Sequence, residues 1–327
     1  MTAQCAAQPF EKPLVSIRHL VVTYPTQRGD LKAVDGVSLD IFRGETLGIV
    51  GESGCGKTTL ALTLLQMNAP GKVTNGSISM NEANILAMKG EVLRRHRWEK
   101  VAMVFQSAMN ALDPVKTIES QIVETIIQHG KMSKEQARSM VKELLELVSI
   151  DPSRAKSYPH ELSGGMRQRV IIALALCLSP SILIADEPTS ALDVVVQAGV
   201  LRTLKELQSK FELTVIIITH DVSIMSEMSD RLAIMYAGKI VEVGSTKQII
   251  SNPNHPYTEA LLNAVPTIGS GKTLVKGIPG SPPDLISPPV GCRFHPRCPY
   301  RIEKCKQNEP PLINRGKDFL ACWLRTK

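Results

Sequence analysis

Two short stretches gather the residue types that handle phosphate and metal. Residues 51–59, GESGCGKTT, fit the spacing G-x-x-x-x-G-K-[ST]. In that pattern glycines let the backbone wrap a phosphate with its N–H groups inward, and a following helix adds its dipole. Gly51, Ser53, Gly54, Cys55, Gly56, Lys57, Thr58 and Thr59 are therefore candidate nucleotide-binding residues. Lys57 suits the β- and γ-phosphates and Thr58 a Mg²⁺ ion. The second stretch, ILIADEP at residues 182–188, ends an apolar run in carboxylates. A carboxylate leaving a buried strand is costly unless a metal or a donor compensates it. Asp186 is accordingly expected on the metal side, directly or through water. Glu187, one residue on, is positioned to orient or deprotonate an attacking water. The two stretches together point to nucleoside triphosphate hydrolysis, with Glu187, His220 and Lys57 as the catalytic candidates.

Other polar residues end apolar runs. Gln106 follows VAMVF and His220 follows TVIIIT, and a lone residue of either kind is more often a satisfied cap or core partner. Beside the two stretches above they become candidate γ-phosphate, metal and water contacts. LSGGMRQR, from Leu162, offers a second phosphate-binding helix start at Ser163, Gly164 and Gly165. One triphosphate has no evident use for two cradles in one chain, which suggests a shared site.

The elements that must position these residues follow from periodicity. LVSIRHLVVTY and VDGVSLDIFRGETLGIV read as strands, the second with a DG turn, and lead to Val50. TLALTLLQM after the glycine-rich loop reads as a helix on a sheet. In SKEQARSMVKELLELVSI, Ser133 and Gln136 form a capping-box pattern, and Met140, Val141, Leu144, Leu145 and Val148 share one face. SILIA and LTVIIITH are short, β-branched and non-alternating, as buried parallel strands are. VQAGVLRTLKELQSK between them suits a helix, and MYAGKIVEVG a hairpin around Gly238. This predicts an α/β fold: a P-loop NTPase cassette over 10–250 with a β-subdomain and a helical subdomain at about 107–178. An extension follows over 251–327: NPNHPYTEALLNAVP could hold one short helix, GIPGSPPDLISPP reads as a proline-rich linker, and a small irregular cysteine-rich tail comes last.

With 43% apolar and 21% charged residues, the 327-residue chain has the composition of a globular protein and not of a disordered one. A net charge of +7 favours anionic partners without choosing among them. MTAQCAAQPFEKP lacks the basic and apolar regions of a secretory signal, and VIIALALCL is too short to span a bilayer. A cytoplasmic location is expected, peripheral to the membrane and held there by other subunits. In that reducing compartment disulfides are a poor first reading of the cysteines.

Order and spacing of these motifs resemble the ATP-binding subunits of ABC transporters, in particular the dipeptide/oligopeptide/nickel importer group, over nearly the whole chain. GESGCGKTT corresponds to Walker A, Gln106 to the Q-loop, LSGGM to the signature, and ILIAD with Glu187 to Walker B. SALD corresponds to the D-loop and His220 to the switch histidine. Tyr24 stands where the family stacks an aromatic on adenine. FQSAMNALDP, NHPYTEALLNAVP and IPGSPPDLISPPVGCRFHPRCPY carry the likeness to the importer group, with Ser107 and Ala108 in place of its usual Asp-Pro. The resemblance implies two such subunits sandwiching two ATP molecules, each signature closing over the partner's nucleotide. It also implies two membrane permease subunits and, indirectly, an extracellular or periplasmic solute-binding protein, with no nucleic acid. The implied function is ATP hydrolysis driving import of di- or oligopeptides. Import of nickel or oligosaccharide, and a non-transport role on ribosomes or DNA, are the alternatives.

Four cysteines, Cys292, Cys298, Cys305 and Cys322, crowd the tail at the spacing C-x₅-C-x₆-C-x₁₆-C. That is wider than zinc knuckles or ferredoxin loops use, so spacing leaves zinc, iron–sulfur and free thiols open. The tail has little apolar sequence with which to build a core, and basic residues surround the thiols. The resemblance extends to members whose cysteine-rich end carries a [4Fe–4S] cluster. A cluster on all four cysteines is expected on that ground, with Zn²⁺ as the alternative. Cys5 and Cys177 are expected to be a terminal thiol and a packed helix residue.

Overall fold

Runs rich in β-branched residues make residues 13–50 a pair of long strands, β1 (Pro13–Thr26) and β2 (Gly29–Phe42), followed by the short apolar β3 (Thr46–Val50). The computed structural model describes residues 12–106, 111–130, 132–190, 192–264 and 277–325. Cys5, Ser107 and Ala108, and Ala191 of SALD lie outside these residues. The expected DG turn is a β-bulge within β2. Between Leu20↔Val37 and Val21↔Asp35 the pairing with β1 slips, and Gly36 takes φ +72°, a conformation that glycine adopts without penalty.

After the glycine-rich loop come α1 (Lys57–Leu64), β4 (Lys72–Met80), β5 (Ala83–Asn84), α2 (Gly90–Glu99) and β6 (Val101–Val104). The middle of the chain is helical: α3 (Ile118–His129), α4 (Lys134–Leu147) and α5 (Gly164–Leu176). The expected capping box is present at α4. The Ser133 hydroxyl accepts the Gln136 N–H, and the Gln136 side chain accepts the Ser133 N–H. Next are β7 (Ile182–Asp186), α6 (Val194–Phe211), β8 (Thr214–Ile218), α7 (Val222–Met228), β9 (Arg231–Tyr236) and β10 (Lys239–Ser245). The remainder comprises α8 (Thr246–Ser251), α9 (Pro256–Asn263), α10 (Glu303–Gln307), β11 (Ile313–Asn314) and β12 (Phe319–Leu320).

Two sheets result. The first is antiparallel, in the order β2-β1-β4-β5; the second runs β11-β12-β10-β9-β3-β8-β7-β6 and is parallel from β9 to β6. The two apolar runs read as parallel strands, β7 and β8, are adjacent and wholly buried. Successive residues of β8 face opposite sides of the sheet and so serve two cores. Val215 and Ile217 join the helices through Ile126, Leu145, Ile172 and Val200. Ile216 and Ile218 join α1 and the antiparallel sheet through Leu60, Ile17, Val34 and Ile78.

The tail is less irregular than expected. β12 pairs with the β10 edge, and Leu320 is buried there, so the last strand shares the central sheet. The expected [4Fe–4S] cluster, and the zinc alternative, are not upheld. Among the described residues no group of three or more His, Cys, Asp or Glu could hold a metal ion. Cys292, Cys298, Cys305 and Cys322 are free thiols. Burial pushes Cys292 up to about 12 and raises Cys298 and Cys322 as well, which favours neutral thiols over metal-binding thiolates. What fastens the tail is ordinary packing. Phe294 meets Tyr236 and Tyr257 edge-on, and Arg293 pairs with Asp35 and donates to the Ala237 carbonyl. Among the described residues no helix is long and apolar enough to cross a membrane.

Candidate functional site

The glycine-rich loop leaves the carboxyl end of β3 and enters α1, so it lies where parallel strands open their ends to a ligand. Gly56 caps α1 with φ +104°, and a Cβ there would meet the Ala33 carbonyl oxygen at 2.1 Å. Only glycine lets the loop take this path. Lys57 is buried, its Nζ donating to the carbonyls of Gly51 (2.7 Å) and Glu52 (2.9 Å). The loop therefore holds a cation at its centre. Cys55 is not among the residues lining the cavity over this loop; its Sγ is buried in the apolar core, 3.6 Å from the Lys57 Nζ, and burial raises its thiol pKa.

A cavity of about 670 Å³ opens over this loop. Ser53, Gly54, Gly56, Lys57, Thr58 and Thr59 line it, as do Gln106, Asp186, Glu187, His220 and Tyr24. Residues from five separate segments, each expected from the sequence, thus share one space. Asp186 is buried at the end of β7, and burial is the main reason its carboxyl pKa is raised; a hydrogen bond from Thr58 opposes that. Its Oδ2 is buried without a hydrogen-bond partner. An orphaned carboxylate oxygen beside a threonine hydroxyl fits Mg²⁺, which binds one or two protein oxygens and completes its shell with phosphate and water.

Glu187 has φ +47°, an unusual backbone state for a side chain of this type, with its N–H donated to the Ile218 carbonyl at 2.8 Å. Its carboxylate is bracketed. Gln106 Nε2 donates to Oε2 at 2.9 Å, and His220 Nδ1 lies 3.0 Å from Oε1. Strain of this kind persists where surrounding contacts impose it, and here it aims a carboxylate into the cavity.

Ser163, Gly164 and Gly165 are not among the residues lining this cavity. Ser163 caps α5 by accepting the Met166 N–H, and a Cβ on Gly165 would meet Val196 at 2.3 Å. The second cradle is thus a well-formed helix start away from its own chain's phosphate loop. The tail cysteines are likewise outside the cavity lining.

Sequence reasoning missed several contributors. Leu31, Ala33, Ile218 and Leu285 also line the cavity. Tyr257 accepts the Glu52 N–H at 2.9 Å, and Arg297 holds the Glu52 carboxylate through two bonds of 2.6 and 2.9 Å. The tail therefore grips the phosphate loop from behind. No local pattern marks Tyr257 and Arg297, because their bonds to Glu52 join residues more than 200 apart in sequence.

A family profile described as ABC transporter matches residues 34–190, and one described as the C-terminal region of oligopeptide/dipeptide transporters matches 241–305. A dipeptide transport ATP-binding protein of Bacillus subtilis (strain 168) is 44% identical over 317 residues, 95% of each chain. An oligopeptide transport ATP-binding protein of Salmonella typhimurium (strain LT2) is 42% identical, covering 95% of this chain and 93% of its own. Among solved structures, a bacterial ABC transporter cassette in dimeric form superposes with a TM-score of 0.63 at 29% identity. It spans 71% of this chain and 98% of its own.

Proposed function

Since the chain belongs to the ATP-binding subunits of oligopeptide/dipeptide ABC transporters, we propose that it hydrolyses ATP to power import of di- and oligopeptides. The observation that carries the chemistry is the Glu187 carboxylate, fixed between Gln106 and His220 above the phosphate loop. In this reading Tyr24 stacks on adenine, and the loop's N–H groups with Lys57 bind the phosphates. Thr58 and Asp186 hold Mg²⁺, which when bound neutralises phosphate charge. Glu187 accepts a proton from the attacking water, while His220 and Gln106 orient the carboxylate and the γ-phosphate.

The proposed assembly pairs this chain with a second ATP-binding subunit whose signature covers this cavity. Two permease subunits and a solute-binding protein complete it, and the chain sits peripherally on the cytoplasmic face. The proposed division is an ATPase domain over 10–250, with the helical subdomain at about 107–178, and an extension over 251–327.

Glu187→Gln tests the chemistry. It keeps the side-chain shape and the Gln106 and His220 neighbours but cannot take the proton. Turnover should fall by at least about a hundredfold while ATP binding persists. Undiminished turnover would remove Glu187 from its role. Cells carrying the variant in place of the natural chain should also lose uptake of labelled dipeptide.

A further inference from the structure

We infer that Leu285, contributed by the C-terminal extension, is a nucleotide-binding residue that closes the base end of the cavity against Tyr24. The inference rests on the ATP-site reading above and adds a residue from outside the cassette. Leu285 lines the same cavity as Tyr24 and Leu31. Tyr24 and Leu31 are direct cross-strand partners in β1 and β2, so their side chains share one face of the hairpin.

Both neighbours of Leu285 touch the turn of that hairpin. Asp284 pairs with Arg28 at 2.6 Å, and Ile286 would stand 3.5 Å from a Cβ on Gly29. Asp284 also accepts the Ile286 N–H at 3.0 Å, a local turn with Leu285 at its bend. The start of this segment is fixed by Arg297, which donates to the Pro279 carbonyl at 2.7 Å while its guanidinium holds Glu52 of the phosphate loop. One arginine thus ties the extension to the phosphate end, and one ion pair ties it to the hairpin end. The exposed Arg28–Asp284 pair adds little stability but sets the position.

The cavity is accordingly polar along the loop and carboxylates and apolar where Tyr24, Leu31 and Leu285 line it. A flat heteroaromatic base attached to a polyphosphate matches that polarity, since it buries both faces on apolar side chains.

The test compares binding of ATP with binding of tripolyphosphate, which carries the phosphates without the base. Leu285→Ser should weaken ATP binding by about tenfold and leave tripolyphosphate binding unchanged. Leu285→Met should keep ATP affinity near that of the natural chain. An equal loss for both ligands would mean that Leu285 acts only through the fold, and no loss for either would mean that it does not meet the base. Both results overturn the inference. A natural chain that binds tripolyphosphate but gains nothing from the base also overturns it while leaving the phosphate-loop reading intact. A chain binding neither ligand would sink that reading and this inference together.

Discussion

Asp186 shows how a single residue can be unfavourable for folding at the place where the proposed site would use it. Its buried Oδ2 is without a hydrogen-bond partner, and burial raises its pKa. An unsatisfied carboxylate oxygen costs stability that an amide or a cation would relieve. Asp186→Asn should therefore melt no lower than the natural chain without Mg²⁺, yet lose about tenfold or more in Mg²⁺-dependent ATP affinity. Calorimetry with and without the cation separates the two effects; a lower melting temperature with unchanged affinity would assign Asp186 to packing. At this scale the sequence is most legible where chemistry demands a contiguous motif. Lys57, Thr58 and Asp186 belong to such motifs, and the cavity unites them. Leu285 and Arg297 do not, since any apolar residue in a proline-rich run, or any arginine in a basic tail, would read the same. The cysteines mark the opposite case. A ligand set inferred from resemblance outran spacing that was itself undecided, and no metal-holding group is found among the described residues.

At the level of elements, the start of α9 joins the tail to the cassette through one buried histidine. His255 Nδ1 accepts the Tyr257 N–H at 3.0 Å, and its other ring nitrogen bonds the Ala321 backbone. Glu242 accepts the N–H groups of Asn254 and His255, at 2.8 and 3.0 Å, and Arg325 adds an opposing charge. Burial, the dominant cause, depresses His255 to about 3 in the folded chain, against about 6.5 when unfolded. A folded pKa below the unfolded one means that stability is complete above pH 6.5 and is lost as pH falls towards 3. Between pH 6.5 and 5 the loss should be about 2 kcal/mol. Urea unfolding at pH 7 and pH 5 measures it, and His255→Asn, which still offers an acceptor to Tyr257, should show a smaller difference. An identical pH dependence in the variant would put the titration elsewhere. Elements with a long repeating pattern, such as α4, and the continuous apolar runs of β7 and β8 were readable in advance. β12 was not: two residues carry no periodicity, and its strand character comes from pairing with the β10 edge. The bulge at Gly36 was equally hidden, because DG has the same composition in a turn and in a slipped register.

At the scale of the whole molecule, the two phosphate-binding features lie apart. The cavity is lined from the phosphate loop, three strand ends, the β1–β2 hairpin and the extension, whereas Ser163 and its glycines cap a helix outside that lining. A helix N-terminus with a small, hydroxyl-bearing cap suits a phosphate, and this one lies outside the lining of the cavity over the chain's own loop. The two features are reconciled if a second subunit supplies the nucleotide that Ser163 faces. Ser163→Arg gives this a measurable form, because it alters the α5 cap and its cradle while leaving the lining of the chain's own cavity intact. Nucleotide affinity of the isolated chain should be unchanged, while ATP turnover and peptide uptake of the assembled transporter should fall at least about tenfold through charge and bulk at the closing interface. Equilibrium dialysis on the isolated chain, and turnover in reconstituted vesicles, give the two numbers. Weakened binding in the isolated chain would mean that the cradle serves its own nucleotide, and full turnover in the assembly would mean that it serves none.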